Sequence, residues 1–201
     1  MVVVHFTGMR GCADALARLC DPAAEVSAHY LIDSGGTVLR LVPEALRAWH
    51  AGAGAWGAVG DVNSRSIGIE LVNPGDVPFA APQMAALEGV LAGILARWSV
   101  PPERVIGHAC MAPERKVDPG PRFDWRRLAR AGLSVWPEGA GAADPAGFAA
   151  DARRFGYPRA APDAVLAAFR ARFRPRATGP VSEADAGIMA ALARRWPVDL
   201  R

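Results

Sequence analysis

Lysine is almost absent from this chain. Lys116 is the only one among 23 basic residues, and the other 22 are arginines. With 17 prolines and many alanines, that skew reads as coding bias, so the lysine's position gains meaning only from its neighbours. Cysteine is scarce too: Cys12, Cys20 and Cys110 are an odd number at no regular spacing. That excludes a disulfide framework and suggests free thiols in a reducing compartment. No apolar run reaches the roughly 18 residues that a membrane-spanning helix needs. Charge of one sign is in little excess. The formal charge of +3 and the pI near 9.1 permit contact with an anionic polymer. No basic stripe interleaved with aromatic residues is present, so nucleic acid is not an expected partner. The opening Met1-Val2-Val3-Val4-His5 lacks the basic-then-apolar pattern of a secretion signal, which gives a cytoplasmic expectation.

What is present suits a packed protein. Of 201 residues, 51% are hydrophobic and 21% charged, enough for a core and against wholesale disorder. The length fits one domain, or one domain with a small appendix. Residues 2–6 read as a buried strand rich in valine. A short helix is expected over 11–20, stopped by Asp21-Pro22. Residues 28–33 and 37–42 read as strands joined by Ser34-Gly35-Gly36. Over 66–72, Ile67, Ile69 and Leu71 share one strand face, and Gly68, Glu70 and Val72 share the other. Residues 82–98 form the clearest helix. Pro82 suits its first turn, and Met84, Leu87, Leu91, Ile94, Leu95 and Trp98 make one apolar stripe. A short strand at 105–107 leads into a proline-rich loop and then a helix near 123–131. Residues 134–147 read as a linker. Helices near 146–155, 162–173 and 182–196 follow. The expected class is α/β, a mixed central sheet flanked by helices, followed by a small all-helical module. The expected division is 1–133, a linker at 134–147, and a helical module at 148–201.

Four histidines stand out: His5, His29, His50 and His108. His5 ends one strand, His108 follows another, and Asp118 lies ten positions beyond. Two histidines and one carboxylate with a vacant fourth position make a hydrolytic zinc site. Zinc brings the pKa of bound water to about 7. The plain alternative is that these are unconnected core or surface residues, since no compact zinc motif is met. Glu70, beside the small Gly68, could act as a general base, or its face could simply be solvated. Lys116, two residues before Asp118, could stabilise an oxyanion, or be an ordinary loop lysine. Cys110 reads as a buried thiol rather than a soft-metal ligand. Trp49-His50-Ala51-Gly52 and Trp56 could line a sugar cleft, or be core.

Five stretches in order resemble the type-2 N-acetylmuramoyl-L-alanine amidases, the family of AmpD, AmiD and the phage lysozyme-like amidases. They are Val4-His5-Phe6-Thr7-Gly8-Met9, Ser27-Ala28-His29-Tyr30-Leu31-Ile32, Ala48-Trp49-His50-Ala51-Gly52, Asn63 through Ile67-Gly68-Ile69-Glu70-Leu71-Val72-Asn73-Pro74, and Gly107-His108 through Lys116-Val117-Asp118-Pro119-Gly120-Pro121. The Ile-Glu-Leu-Val-Asn-Pro ending looks more like the AmiD branch. The resemblance implies the amidase and peptidoglycan-recognition fold, Zn²⁺ held by His5, His108 and Asp118, and catalysis by Glu70 and Lys116. It places Trp49, His50 and Tyr30 at the substrate and leaves His29 structural. It implies hydrolysis of the amide between N-acetylmuramic acid, ordinary or 1,6-anhydro, and L-alanine of peptidoglycan. A non-catalytic peptidoglycan sensor on the same fold is the alternative, opposed by the filled ligand positions. Arg154-Phe155-Gly156-Tyr157-Pro158 and residues 168–175 resemble a helical peptidoglycan-binding module. A monomer is expected. Family members usually carry a segment before the first ligand strand. A missing upstream segment would change the expected location to the periplasm or the outer membrane.

Overall fold

The computed structural model describes residues 1–198. Five strands form one mixed sheet: β1 (Val2–Phe6), β2 (Tyr30–Ile32), β3 (Val38–Arg40), β4 (Ile67–Leu71) and β5 (Val105–Gly107), in the order β3-β2-β4-β1-β5. β1 pairs in parallel with both β4 and β5, β2 pairs in parallel with β4, and only the β2–β3 pair is antiparallel. The valine run of β1 suits this central place, because a strand flanked on both edges and covered on both faces needs apolar residues at every position. Val2, Val3 and Val4 are fully buried.

Alternation sorts the strands onto two faces. One face carries Val2, Val4, Tyr30, Ile32, Ile67, Ile69 and Leu71, packed against Met84, Leu87, Leu91 and Ile94 of α2 (Ala81–Trp98). α2 starts with Pro82 in its first turn and ends at Ser99, in left-handed conformation, whose N–H bonds the Leu95 carbonyl. Trp98, expected to extend the apolar stripe, is instead exposed, and its indole N–H donates to Glu44. The other face carries Val3, His5, Leu31, Gly68, Glu70 and Ile106. α1 (Cys12–Cys20) covers Leu31 through Ala15 and Leu16. α3 (His108–Met111) and α4 (Trp125–Arg130) follow β5.

Three helices complete the chain: α5 (Phe148–Phe155), α6 (Pro162–Phe173) and α7 (Glu183–Arg195). They share one apolar cluster with the sheet. Val3, Trp56, Ile106 and Met111 pack with Phe148, Phe155, Phe169, Phe173 and Leu192. The stretch expected to be a linker lies on this body. Ser134 and Val135 are buried, Ala143 N–H bonds the Glu183 carbonyl at 3.1 Å, and a Cβ on Gly187 would meet the Gly141 carbonyl oxygen at 1.6 Å. Only glycine allows α7 to pass the chain there. The expected helical module ran to 201, so its last three residues lie outside the described residues. No helix among the described residues is long and apolar enough to cross a membrane.

Candidate active site

The sheet register builds the first half of the site. His5 and Glu70 are direct partners on β1 and β4, so both side chains leave the same face. Leu31 on β2 is Glu70's other neighbour and gives it an apolar wall. The second half comes from the loop after β5. His108 opens α3, and the Ala109 N–H bonds the Asp118 carbonyl at 2.9 Å, closing the loop so that Asp118 returns beside His108. Within that loop the N–H groups of Arg115 and Lys116 both bond the Ala112 carbonyl, which fixes the Lys116 backbone two residues before Asp118.

These elements bring three donor atoms together. His5 Nδ1 lies 2.9 Å from His108 Nδ1 and 3.0 Å from Asp118 Oδ2, and His108 Nδ1 lies 3.1 Å from the same oxygen. All three residues are buried. The edge of a tetrahedron with metal–ligand bonds of roughly 2.0–2.1 Å is about 3.3 Å, close to this triangle. Its protonation also fits a cation. His108 Nε2 sits 2.8 Å from the Ala51 carbonyl oxygen, which can only accept, so neutral His108 keeps its proton on Nε2 and turns a bare Nδ1 to the triad. Bare nitrogen lone pairs beside a carboxylate are what a divalent metal satisfies, and two histidines with one carboxylate are a catalytic zinc set.

Electrostatics keeps these groups ready to ligate. Burial, and after it the neighbouring His108, lowers the His5 pKa to about 4, against the opposing pull of Asp118. His5 is therefore neutral near pH 7. Burial pushes Asp118 up, but the neighbouring His108 and His5 outweigh it and hold the carboxyl below its ordinary value. Glu70 goes the other way. Burial and then the Asp118 charge push it up to about 8, with Lys116 opposing. Its Oε2 is buried without a hydrogen-bond partner.

A cleft of about 410 Å³ opens over the triad, with His5, Glu70, His108, Lys116 and Asp118 in its walls. Trp49 stands at its rim, 53% exposed, and His50 lies deeper, 8% exposed. Tyr30 is a correction. It lies on the opposite face of the sheet among the α2 contacts, and its hydroxyl donates to Glu44. Strand alternation forbids it from joining Glu70's face. Of the two readings of Trp56, the core one holds: it is fully buried against Phe155 and Tyr157, away from the cleft. Cys110 is a buried thiol. His29 accepts the Gly68 N–H on Nδ1 at 2.9 Å, while its Nε2–H donates to the Leu46 carbonyl at 3.0 Å, a structural bridge.

Some residues escaped the sequence reading. Arg18 and Arg115 line the cleft, and Arg115 also donates to the carbonyls of Ala51 and Ala53. Asn63 Oδ1 accepts the backbone N–H groups of His50 and Ala51 at 3.0 and 2.8 Å. Asn63 and Ser66 open one of the resembling stretches, so the signal was present without a role. Arg115 adjoins the sole lysine but carried no signal of its own.

A mixed sheet that aims two histidines and a carboxylate at one point, with a second carboxylate beside them under a cleft, has the arrangement of a metal-assisted hydrolase. Residues 1–121 match the Amidase_2 family, N-acetylmuramoyl-L-alanine amidase, and the chain belongs to that family. N-acetylmuramoyl-L-alanine amidase AmiD of Escherichia coli K12 is 35% identical over 99% of this chain and 84% of its own length. AmpD of Citrobacter freundii, a 1,6-anhydro-N-acetylmuramyl-L-alanine amidase, is 40% identical over 51% of this chain and 55% of its own length. The structure of E. coli AmiD with anhydro-N-acetylmuramic acid-L-Ala-D-gamma-Glu-L-Lys superimposes with a TM-score of 0.88 at 34% identity, covering 98% of this chain and 89% of that one. AmpDh3 of Pseudomonas aeruginosa, in complex with anhydromuramic pentapeptide, gives a TM-score of 0.86 at 31% identity over 98% and 92%.

Proposed function

We propose that this chain is a zinc-dependent N-acetylmuramoyl-L-alanine amidase. It hydrolyses the amide between N-acetylmuramic acid, the 1,6-anhydro form included, and L-alanine of the stem peptide. The observation that carries this reading is the His5–His108–Asp118 triangle with edges of 2.9 to 3.1 Å beside Glu70. Bound there, zinc would supply an acidified water and a Lewis acid for the scissile carbonyl. Glu70, in its anionic form, accepts the proton of the attacking water. A cation in the triad favours that form over the neutral one. Lys116 faces the carbonyl oxygen as negative charge develops on it. Glu70 then returns the proton to the alanine nitrogen. The C–N bond breaks, and the products are a lactyl carboxylic acid and a free amine.

The anhydro-muropeptides held by AmiD and AmpDh3 support the substrate class. The cleft cations Arg18, Arg115 and Lys116 support an anionic stem peptide. Incubation with muropeptides, followed by mass spectrometry, tests the reading. Free stem peptide is expected with zinc, none after chelation, and recovery when zinc is restored. Zinc binding without release of stem peptide would leave a sensor and refute the amidase.

A further inference from the structure

His50 lies outside the triad, yet its ring stands between His5 and Ser66. His5 Nε2 is 3.0 Å from His50 Nδ1, and His50 Nε2 is 3.2 Å from Ser66 Oγ. The direction of each bond follows from the far end. Ser66 Oγ lies 2.5 Å from the Val62 carbonyl oxygen, a pure acceptor, so the hydroxyl proton is committed there. Ser66 Oγ therefore accepts from His50 Nε2–H. A neutral His50 then has a bare Nδ1, which accepts from His5 Nε2–H. A neutral His5 is left with a bare Nδ1, the atom that faces His108 and Asp118.

Two further features hold this chain in place. Asn63 Oδ1 pins the backbone N–H groups of His50 and Ala51, and the Ala51 carbonyl orients His108 in turn. Gly68 makes room for the ring: a Cβ there would lie 2.3 Å from His50 Cγ. The space that a side chain on Gly68 would take is filled by His50 itself.

We propose that His50 is a positioning residue for the metal site, fixing His5 through the Val62–Ser66–His50 hydrogen-bond chain as the tautomer with its lone pair on Nδ1. The inference rests on the zinc reading above. A group that only lined the substrate cleft would change KM and leave metal affinity alone, whereas a partner that orients a ligand changes the affinity itself, by about 10- to 100-fold when removed.

The test compares wild type with His50→Ala, His50→Gln and Ser66→Ala. Zinc affinity is measured by competition with a chromophoric chelator, and imidazole tautomers by ¹⁵N-resolved NMR of histidine-labelled protein. The expected wild-type spectra show His5 and His50 both protonated on Nε2. His50→Ala is expected to weaken zinc binding about 10- to 100-fold. His50→Gln, whose amide oxygen can accept from His5, recovers much of that loss. Ser66→Ala leaves the ring in place, moves protons between the His50 nitrogens and weakens zinc several-fold. It decides the matter if His50→Ala does not fold. A His50 proton on Nδ1 in wild type overturns the inference. So does wild-type zinc affinity in folded His50→Ala, or unchanged affinity and tautomer in Ser66→Ala. A wild type that binds no zinc sinks the functional reading itself, and the two failures are thereby distinct.

Discussion

Replacing Glu70 by glutamine should make the metal-free protein more stable and the enzyme nearly inactive. The reason lies in the carboxyl's surroundings. An ordinary glutamate titrates near 4.5, and in the fold burial and the Asp118 charge push this one up to about 8. Between those values the folded state holds a proton that the unfolded state has released. Stability therefore falls as pH rises through that window, and the loss levels off above about 8. At pH 7 the window already spans about 2.5 pH units, worth about 3 kcal/mol. That is an upper figure, because Glu70 keeps some surface toward the cleft. Glutamine takes up no proton, so the variant escapes this loss. For a chain of this size, about 3 kcal/mol corresponds to roughly 6–12 °C in melting temperature. Thermal unfolding of both proteins in chelator, from pH 4 to 9, reads it directly. The curves should nearly meet at the acid end and separate up to about pH 8. On muropeptide substrate, with zinc content matched, the variant should lose about 10²–10⁴-fold in turnover, the usual share of a general base. A stability gap that does not depend on pH, or a variant retaining more than a tenth of the activity, refutes the reasoning.

Lys116→Ala should slow turnover by about 10²–10³-fold, the loss expected of one oxyanion donor, while zinc content by elemental analysis stays intact. Lys116→Arg should rescue little, since a planar fork does not replace a compact ammonium. Asp185→Asn should destabilise the fold by about 3–5 kcal/mol in denaturant titration, because it strips the partner from Arg170 and Arg174, bonded to its two oxygens at 2.6 and 2.7 Å. Tyr30→Phe should leave KM unchanged and cost only about 1 kcal/mol of stability, since Arg97 and Trp98 still hold Glu44. A several-fold rise in KM there would restore Tyr30 to the substrate.

What the sequence made legible was local or periodic. The alternation in β4 put Glu70 and Gly68 on one face, and the register confirms that pairing of faces. The same alternation applied to β2 excludes Tyr30 from the site, although motif position alone had placed it there. Register between β1 and β4 joins residues 65 positions apart, and no periodicity in either strand states that His5 will stand beside Glu70. His108 and Asp118 are ten residues apart, but their approach depends on one backbone bond from Ala109 to the Asp118 carbonyl. His50 was visible as part of a motif. Its directed hydrogen bonds to His5 and Ser66 follow only from three-dimensional neighbours.

The helices after β5 show the same limit from the side of packing. Their apolar periodicity was plain, and small residues between 134 and 147 suggested a spacer. Small residues also allow close approach, and here Gly141 and Ala143 meet α7 at Gly187 and Glu183. The consequence reaches the site through α3. His108 begins that helix inside the cleft, while Cys110 and Met111 on its far side belong to the cluster formed with Phe155, Phe169 and Leu192. A helix of four residues has too few internal hydrogen bonds to hold itself. Its position is set by what it packs on, so the apolar faces of α5, α6 and α7 help to decide where the Nδ1 atom of His108 points.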